Sequence, residues 1–327
     1  MAETIRWGIL GAGRIAERFA RSLERRDDAC LYAIAGRSPE KLAAFAKTHP
    51  AEKRYTDFEA FLQDPNIDAV YLALPHGLHY PWLKKLMEAG KPVLCEKPLV
   101  LNAGEAEDLL EYHKEHPVLV MEAMKGRFVP ARDELFALLR DGAIGPLRSV
   151  EVSFCYQLPE AMKANPALYI NQPDQGGAWL DVGCYGANFL LDLFDLPYEV
   201  RRVDSVFENG VDAWVRAELD FSGVKGVVEA GIDRDKPHTG IVEGEKGRLV
   251  IDVFNRPARF TIFTEGQPPQ VYEVPYEGDD FSGEIGAFMD ALRRKESENG
   301  RMTLQDSLDQ ARLLDAVRKI MNRGEEV

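Results

Sequence analysis

A chain of 327 residues with 45% hydrophobic content is too long for most single cores and carries enough apolar material for two domains. Its formal net charge of -14, with no Lys/Arg cluster interleaved with aromatics, argues against nucleic acid and membrane surfaces as partners. No apolar run is long enough to span a bilayer, and the N-terminus enters its first strand without a leader, so the expected location is cytoplasmic. The four cysteines, Cys30, Cys95, Cys155 and Cys184, are too scattered for a disulfide frame or a zinc site, and no metal is expected.

The first apolar run, from Ile5, ends at Gly11-Ala12-Gly13, and residues 14–26 then place Ile15, Phe19 and Leu23 at helical spacing. In such a turn the first glycine supplies the bend, and the second lets the main chain approach a pyrophosphate. The helix start, at Arg14 and Ile15, offers N–H groups to the charge, and Ala16 stands where the motif permits a third glycine. A second strand over residues 30–36 ends in Gly36-Arg37-Ser38, with Ser38 as a helix cap and Pro39 in the first turn. An Asp or Glu here would accept from the ribose of NAD, whereas a small residue followed by Arg suits the 2'-phosphate of NADP. The expected cofactor is therefore NADP, with Arg37, Ser38 and Lys41 around the phosphate; NAD is the alternative, and a solvated Arg at a helix start is the plain reading of the same residues.

A short helix over 57–63 precedes a buried strand over 68–74, which ends at Leu74-Pro75-His76. Ligands of open parallel sheets sit beyond the carboxyl ends of the strands, so Leu74, Pro75, His76 and His79 are expected at the cofactor, a helix-capping histidine being the other reading of His76 and His79. His113 and His116, at the end of a charged helix, read as solvated. A helix over 77–89 and a strand over 92–95 lead into Glu96-Lys97-Pro98. Alternation points Glu96 and Lys97 in opposite directions, so one of them faces the crevice, unless the pair merely ends a strand at the surface. A helix over 102–116 and a strand over 118–124 complete about six alternations, the pattern of a doubly wound parallel sheet.

After a helix over 131–140 the pattern changes to period two. Strands are predicted over 147–157, 200–207, 213–221, 224–232, 238–243, 248–253, 260–263 and 270–274, forming an antiparallel sheet, with helices over 281–295 and 303–322 ending the chain. The fold class is thus α/β: a doubly wound parallel sheet over 1–124, then an α+β region with an antiparallel sheet over 125–327. Within the second half, a helix over 177–194 puts Asp181 and Tyr185 one turn apart on one face. A carboxylate and a phenol presented together suit a sugar or diol substrate; a buried structural pair is the other reading.

Five segments, Gly11-Ala12-Gly13-Arg14-Ile15-Ala16, Gly36-Arg37-Ser38, Cys95-Glu96-Lys97-Pro98, Glu122-Ala123-Met124 with Arg127-Phe128, and Gly176-Gly177 through Asp181-Val182-Gly183-Cys184-Tyr185, occur in the order found in one family. By them the chain resembles the glucose-fructose oxidoreductase / inositol dehydrogenase (Gfo/Idh/MocA) family, most of all its branch of dihydrodiol and NADP-dependent xylose dehydrogenases. The resemblance implies a Rossmann domain over 1–124 followed by a substrate-binding α+β domain with a large, mostly antiparallel open sheet over 125–327, the terminal helices packing back on the first domain and a nicotinamide lying between the two, with Lys97 as the catalytic lysine and Tyr185 where other branches have histidine. It also implies Asp181 as a ligand for a substrate hydroxyl, Glu96 and Arg127 near the cofactor, and a homodimer or homotetramer formed through the open sheet. Lys125 departs from the pattern, standing where relatives carry a large apolar residue. The implied reaction is hydride transfer between NADP and a carbinol, with Lys97 and Tyr185 handling the proton and their roles interchangeable. A cofactor-sensing regulator without turnover, and an enzyme that uses the cofactor transiently to cleave a glycoside, are the rivals.

Overall fold

The computed structural model describes residues 4–194 and 196–321, which divide into two compact units. The first contains the chain up to Val100, Gly104–Met124 and Glu277–Ser307; the second contains Leu101–Ala103, Lys125–Tyr276 and the chain from Leu308 on.

The first unit alternates strand and helix: β1 (Ile5–Leu10), α1 (Arg14–Leu23), β2 (Ala29–Ala35), α2 (Pro39–Thr48), β3 (Lys53–Tyr55), α3 (Phe58–Leu62), β4 (Ala69–Leu72), α4 (His79–Glu88), β5 (Val93–Glu96), α5 (Ala103–Glu115) and β6 (Val120–Ala123). The sheet order is β3-β2-β1-β4-β5-β6, with all pairings parallel. This is the doubly wound arrangement, with its switch point between β1 and β4. The short strand β3 escapes the sequence pattern because Lys53 and Arg54 are exposed charges with no apolar run around them.

Aromatic packing fixes α1 on this sheet. Phe19 stacks on Tyr71 with centroids 3.8 Å apart and meets Trp7 edge-on at 5.2 Å. All three are essentially fully buried, each contributing roughly 1.5–3 kcal/mol or more. His113 corrects the sequence reading. It is buried, with Nε2 2.8 Å from the Val118 carbonyl and 3.2 Å from that of Ser297, because the late segment Glu277–Ser307 joins this unit and covers the end of α5. His116 stays half-buried, stacked on Tyr112.

The second unit begins with α6 (Pro130–Arg140), β7 (Leu147–Cys155) and a short α7 (Glu160–Lys163). A helical run follows, opening as a π-turn (Trp179–Gly183) and continuing as α8 (Cys184–Leu193). Then come β8 (Glu199–Glu208), β9 (Val211–Phe221), β10 (Val224–Gly231), β11 (Gly240–Gly244), β12 (Gly247–Ile251), β13 (Arg259–Thr264) and β14 (Gln270–Glu273). The sheet order is β14-β13-β12-β11-β7-β10-β9-β8. It is antiparallel except where β7 and β10 pair in parallel, the mostly antiparallel sheet expected, with a long excursion through α8, β8 and β9 separating those two strands. Strand β9 alternates buried and half-buried residues along its whole length, as a sheet with one covered face requires.

The chain closes with α9 (Ser282–Arg293), whose Phe288 meets Trp7 in the first unit, and α10 (Leu304–Met321), where the Leu314 carbonyl accepts from the Trp179 indole at 3.1 Å in the second. Asn322, the last residue of the helix expected over 303–322, lies outside the described residues.

Candidate active site

In the first unit the carboxyl ends of β1, β2, β4 and β5 carry the residues singled out by sequence. β1 delivers the chain to Gly11, whose φ is 113°. A Cβ at Gly11 would lie 2.4 Å from the Ala73 carbonyl oxygen, so no side chain fits there. At Gly13 a Cβ would meet nothing within 4 Å, and α1 starts without a side-chain cap on its first-turn N–H groups. A helix start with no side-chain cap, beside the open space at Gly13, suits a pyrophosphate. These residues fit the dinucleotide. By contrast α2 is capped, with Ser38 Oγ accepting from the Lys41 N–H at 3.2 Å, as Ser38 before Pro39 predicts.

After β2, Gly36 is buried and donates its N–H to the Tyr55 carbonyl, while Arg37 and Lys41 are exposed. Ser38 donates to Glu40 at 2.8 Å, so a ribose phosphate here would compete with a carboxylate for that hydroxyl. After β4, Leu74 and Pro75 are half-buried and His76 is buried. His79 is 0% exposed, with Nε2 2.8 Å from the Leu74 carbonyl and Nδ1 2.8 Å from that of Pro98. Its burial pushes the imidazole pKa down, against the pull of the Pro98 and Leu74 carbonyls and Glu96. The expectation of His79 at the cofactor is thereby corrected: with no exposed surface it is a brace that ties the end of β4 to the turn after β5.

That turn is pinned on two further sides. Glu96 turns inward, accepting from the Tyr71 hydroxyl and, at 3.3 Å, from the Lys97 N–H. Buried Glu122 accepts from the Leu99 N–H at 3.1 Å and from Ser307 Oγ at 2.6 Å. Lys97, half-buried, is the more exposed member of the Glu96-Lys97 pair, as alternation requires. The turn it opens is therefore held by three side-chain contacts, Glu96 at the Lys97 N–H, His79 at the Pro98 carbonyl and Glu122 at the Leu99 N–H.

In the second unit, Arg127 is buried against α8, Nε donating to Asn188 Oδ1 at 2.9 Å, with Asp192 3.8 Å from Nη2. Lys125 is also buried, in the short 3-10 turn Lys125–Phe128. Asp181 lies in the π-turn, a feature common at functional sites, and Tyr185 in the first turn of α8. The regular helix expected over 177–194 is replaced at its start because the Trp179 ring fills the space beside Gly183, where a Cβ would come within 2.6 Å of it. Asp181 is buried and accepts from two phenols, Tyr156 at 2.8 Å and Tyr169 at 3.3 Å. Tyr185 is half-buried and stacks on Phe154 with centroids 5.5 Å apart; Phe154 in turn meets His238 at 4.0 Å.

Sequence reasoning missed three residues here. Tyr156 shares the strand alternation of Phe154, a usable signal, whereas Tyr169 sits in an irregular 3-10 turn with none. The third is Asp212, whose Oδ2 accepts from the Trp179 N–H at 2.6 Å. Burial pushes its carboxyl up to about 6, opposed by the amides of Trp179 and Ala178 and the charge of Arg318. Among the described residues no group of three or more His, Cys, Asp or Glu could hold a metal ion, and no helix is long and apolar enough to cross a membrane.

Comparison with known proteins extends over nearly the whole chain. Residues 5–124 match the model described as "Oxidoreductase family, NAD-binding Rossmann fold", and residues 133–250 match "GFO/IDH/MocA C-terminal domain". The chain is 32% identical to mouse (Mus musculus) trans-1,2-dihydrobenzene-1,2-diol dehydrogenase, covering 96% of each chain. It is 30% identical to the scyllo-inositol 2-dehydrogenase (NADP(+)) of Bacillus subtilis, covering 97% of each. Among solved structures it resembles KijD10, a 3-ketoreductase from Actinomadura kijaniata in complex with NADP and TDP-benzene, with a TM-score of 0.88 and 29% identity over 97% of this chain and 98% of that one.

Proposed function

Since the chain belongs to the GFO/IDH/MocA oxidoreductase family, we propose that it is an NADP-dependent dehydrogenase acting on a carbinol of a sugar, polyol or cyclic trans-diol. When bound, the nicotinamide supplies hydride acceptance and donation at its C4. The chain's own residues do the rest. The turn from Gly11 to Gly13 and the uncapped start of α1 hold the pyrophosphate, and Arg37, with Lys41, holds the 2'-phosphate.

Asp181 accepts a substrate hydroxyl, its orientation set by Tyr156 and Tyr169. Tyr185 exchanges the proton of the reacting hydroxyl, and Lys97 supports it, because an ammonium beside a phenol favours the phenolate. The observation that carries this reading is the frame around Lys97: three buried side chains, Glu96, His79 and Glu122, fix the backbone of the turn from Lys97 to Leu99 that carries a half-buried amine at the end of β5, in the same unit as the glycine turn after β1. Support also comes from relatives. Structures of the 3-ketoreductase with one lysine exchanged for alanine and with one tyrosine exchanged for phenylalanine single out the same pair of residue types. Self-association through the outer face of the eight-stranded sheet belongs to the same reading.

The test mixes the protein with NADP and a panel of aldoses, inositols and cyclic trans-diols and follows the absorbance of reduced cofactor. Net accumulation of NADPH with one member of the panel is expected. Binding of NADPH with no net reduction on any member would overturn the reading in favour of a regulator or of a transient redox cycle.

A further inference from the structure

Asp212 is at the start of β9, separated in sequence from the residues it touches, and its carboxylate meets the main chain where the π-turn begins. Oδ2 accepts from the Trp179 N–H at 2.6 Å. On the other side Gly177, with φ 87°, has no room for a side chain, because a Cβ there would lie 2.1 Å from Asp212 Oδ1. The chain at Gly176 is equally confined: a Cβ would come within 2.4 Å of the carbonyl oxygens of Tyr169 and Ile170. The backbone over residues 176–179 is therefore wrapped around one carboxylate while pressed against the turn that presents Tyr169. Trp179 is locked again at its indole, which donates to the Leu314 carbonyl at 3.1 Å.

A helix start needs its first N–H groups satisfied, and a carboxylate there both accepts from them and opposes the positive end of the helix. In this protein the acid comes from a distant strand, and its N–H partner lies two residues before Asp181 and six before Tyr185. We propose that Asp212 is a positioning residue, setting where the π-turn begins and so the places of Asp181 and Tyr185 relative to one another. This rests on the reading of Asp181 and Tyr185 as the substrate-side residues, but the anchoring itself can be measured without turnover.

The experiment compares the full-length wild-type protein with Asp212→Ala, Asp212→Asn and Tyr185→Phe by amide hydrogen exchange and by steady-state NADP reduction with scyllo-inositol and with a cyclic trans-diol. Asp212→Ala should speed exchange of peptides covering residues 178–185 tenfold or more while peptides from β12 and α6 stay as in wild type. Asp212→Asn, which keeps one carbonyl acceptor, should restore most of that protection. With either substrate turning over, Asp212→Ala should lower kcat and leave KM for NADP unchanged. Unaltered exchange over 178–185, or acceleration spread evenly through β12 and α6, would overturn the proposal. If Asp212→Ala does not fold, Asp212→Ser, whose shorter side chain falls short of the Trp179 N–H, takes its place: faster exchange over 178–185 than in wild type supports the anchor, and unaltered exchange refutes it. Undiminished turnover in Tyr185→Phe would sink the catalytic reading and leave the exchange result to judge the anchor separately.

Discussion

The two units hold their candidate site residues by opposite means. In the first, Lys97 sits in a tight turn whose neighbours are each bonded by a separate buried side chain from a strand or helix of a regular sheet. In the second, Asp181 and Tyr185 sit on a deformed helix, and what fixes them is one carboxylate, two phenols and a stacked ring. A regular sheet supplies positions by its repeat, so few side chains are needed to hold a residue at a strand end. A helix that opens with a π-turn has lost its ordinary repeat, and specific contacts must replace it.

This contrast can be broken first at the two side chains proposed to handle the proton. Lys97→Met and Tyr185→Phe should each lower kcat by about 10²–10⁴ while the Kd for NADPH, read by fluorescence titration, barely moves; normal turnover in both variants would remove any catalytic meaning from the comparison. Next come the two glycines that let the backbone close on its supports. Gly177→Ala forces a side chain into the Asp212 carboxylate at positive φ and should cost about 3 kcal/mol or more in a denaturant melt. Gly11→Ala, against the Ala73 carbonyl, should cost a similar amount and also abolish dinucleotide binding. A loss in NADPH affinity on Gly177→Ala as large as on Gly11→Ala would show that the two supports are not separate.

A finer probe is pH. Asp212 has its carboxyl raised from 3.8 to about 6, so the folded chain binds that proton more tightly than the unfolded chain does. Its favourable contribution is complete below about pH 4 and is lost as pH rises through 6, roughly 3 kcal/mol in all. Thermal melts of wild type and Asp212→Asn should therefore draw together or cross between pH 4 and 7, the wild type losing ground as pH rises. Parallel curves would show that the carboxyl has an ordinary affinity for its proton. The smallest effect is expected at the rim of the first unit. Arg37→Ala should reduce the preference for NADP over NAD by about tenfold to a hundredfold, measured as the ratio of kcat/KM values.

Much of this architecture was legible from residue order. Five of the six parallel strands announce themselves as apolar runs bounded by turn residues, and the glycine turn and the Glu96-Lys97-Pro98 segment fall where a doubly wound sheet gathers its ligands. The supports were not legible. His79 reads as a loop histidine, since nothing local says that its ring reaches the Pro98 carbonyl 19 residues away. His113 reads as solvated because the segment that covers it arrives more than 180 residues later, at Ser297. Asp212 falls on the same alternation as Trp214 and Arg216, which is how an ordinary solvent-side acid on a strand looks. The π-turn is hidden for a related reason: the Trp179 ring packs beside Gly183 and the Trp179 amide meets the distant Asp212, matters of packing rather than of spacing.

The aromatic stack inside the first unit extends further than its packing role. Phe19, on the helix behind the glycine turn, lies flat on Tyr71, and the hydroxyl of Tyr71 reaches Glu96, whose other oxygen takes the amide of Lys97. The helix behind the glycine turn and the amine-bearing turn thus share one uninterrupted line of side-chain contacts. Replacing Tyr71 with Phe would preserve the stack and cut the line at a single atom, so coenzyme affinity would stay whole while the reach of the amine changed.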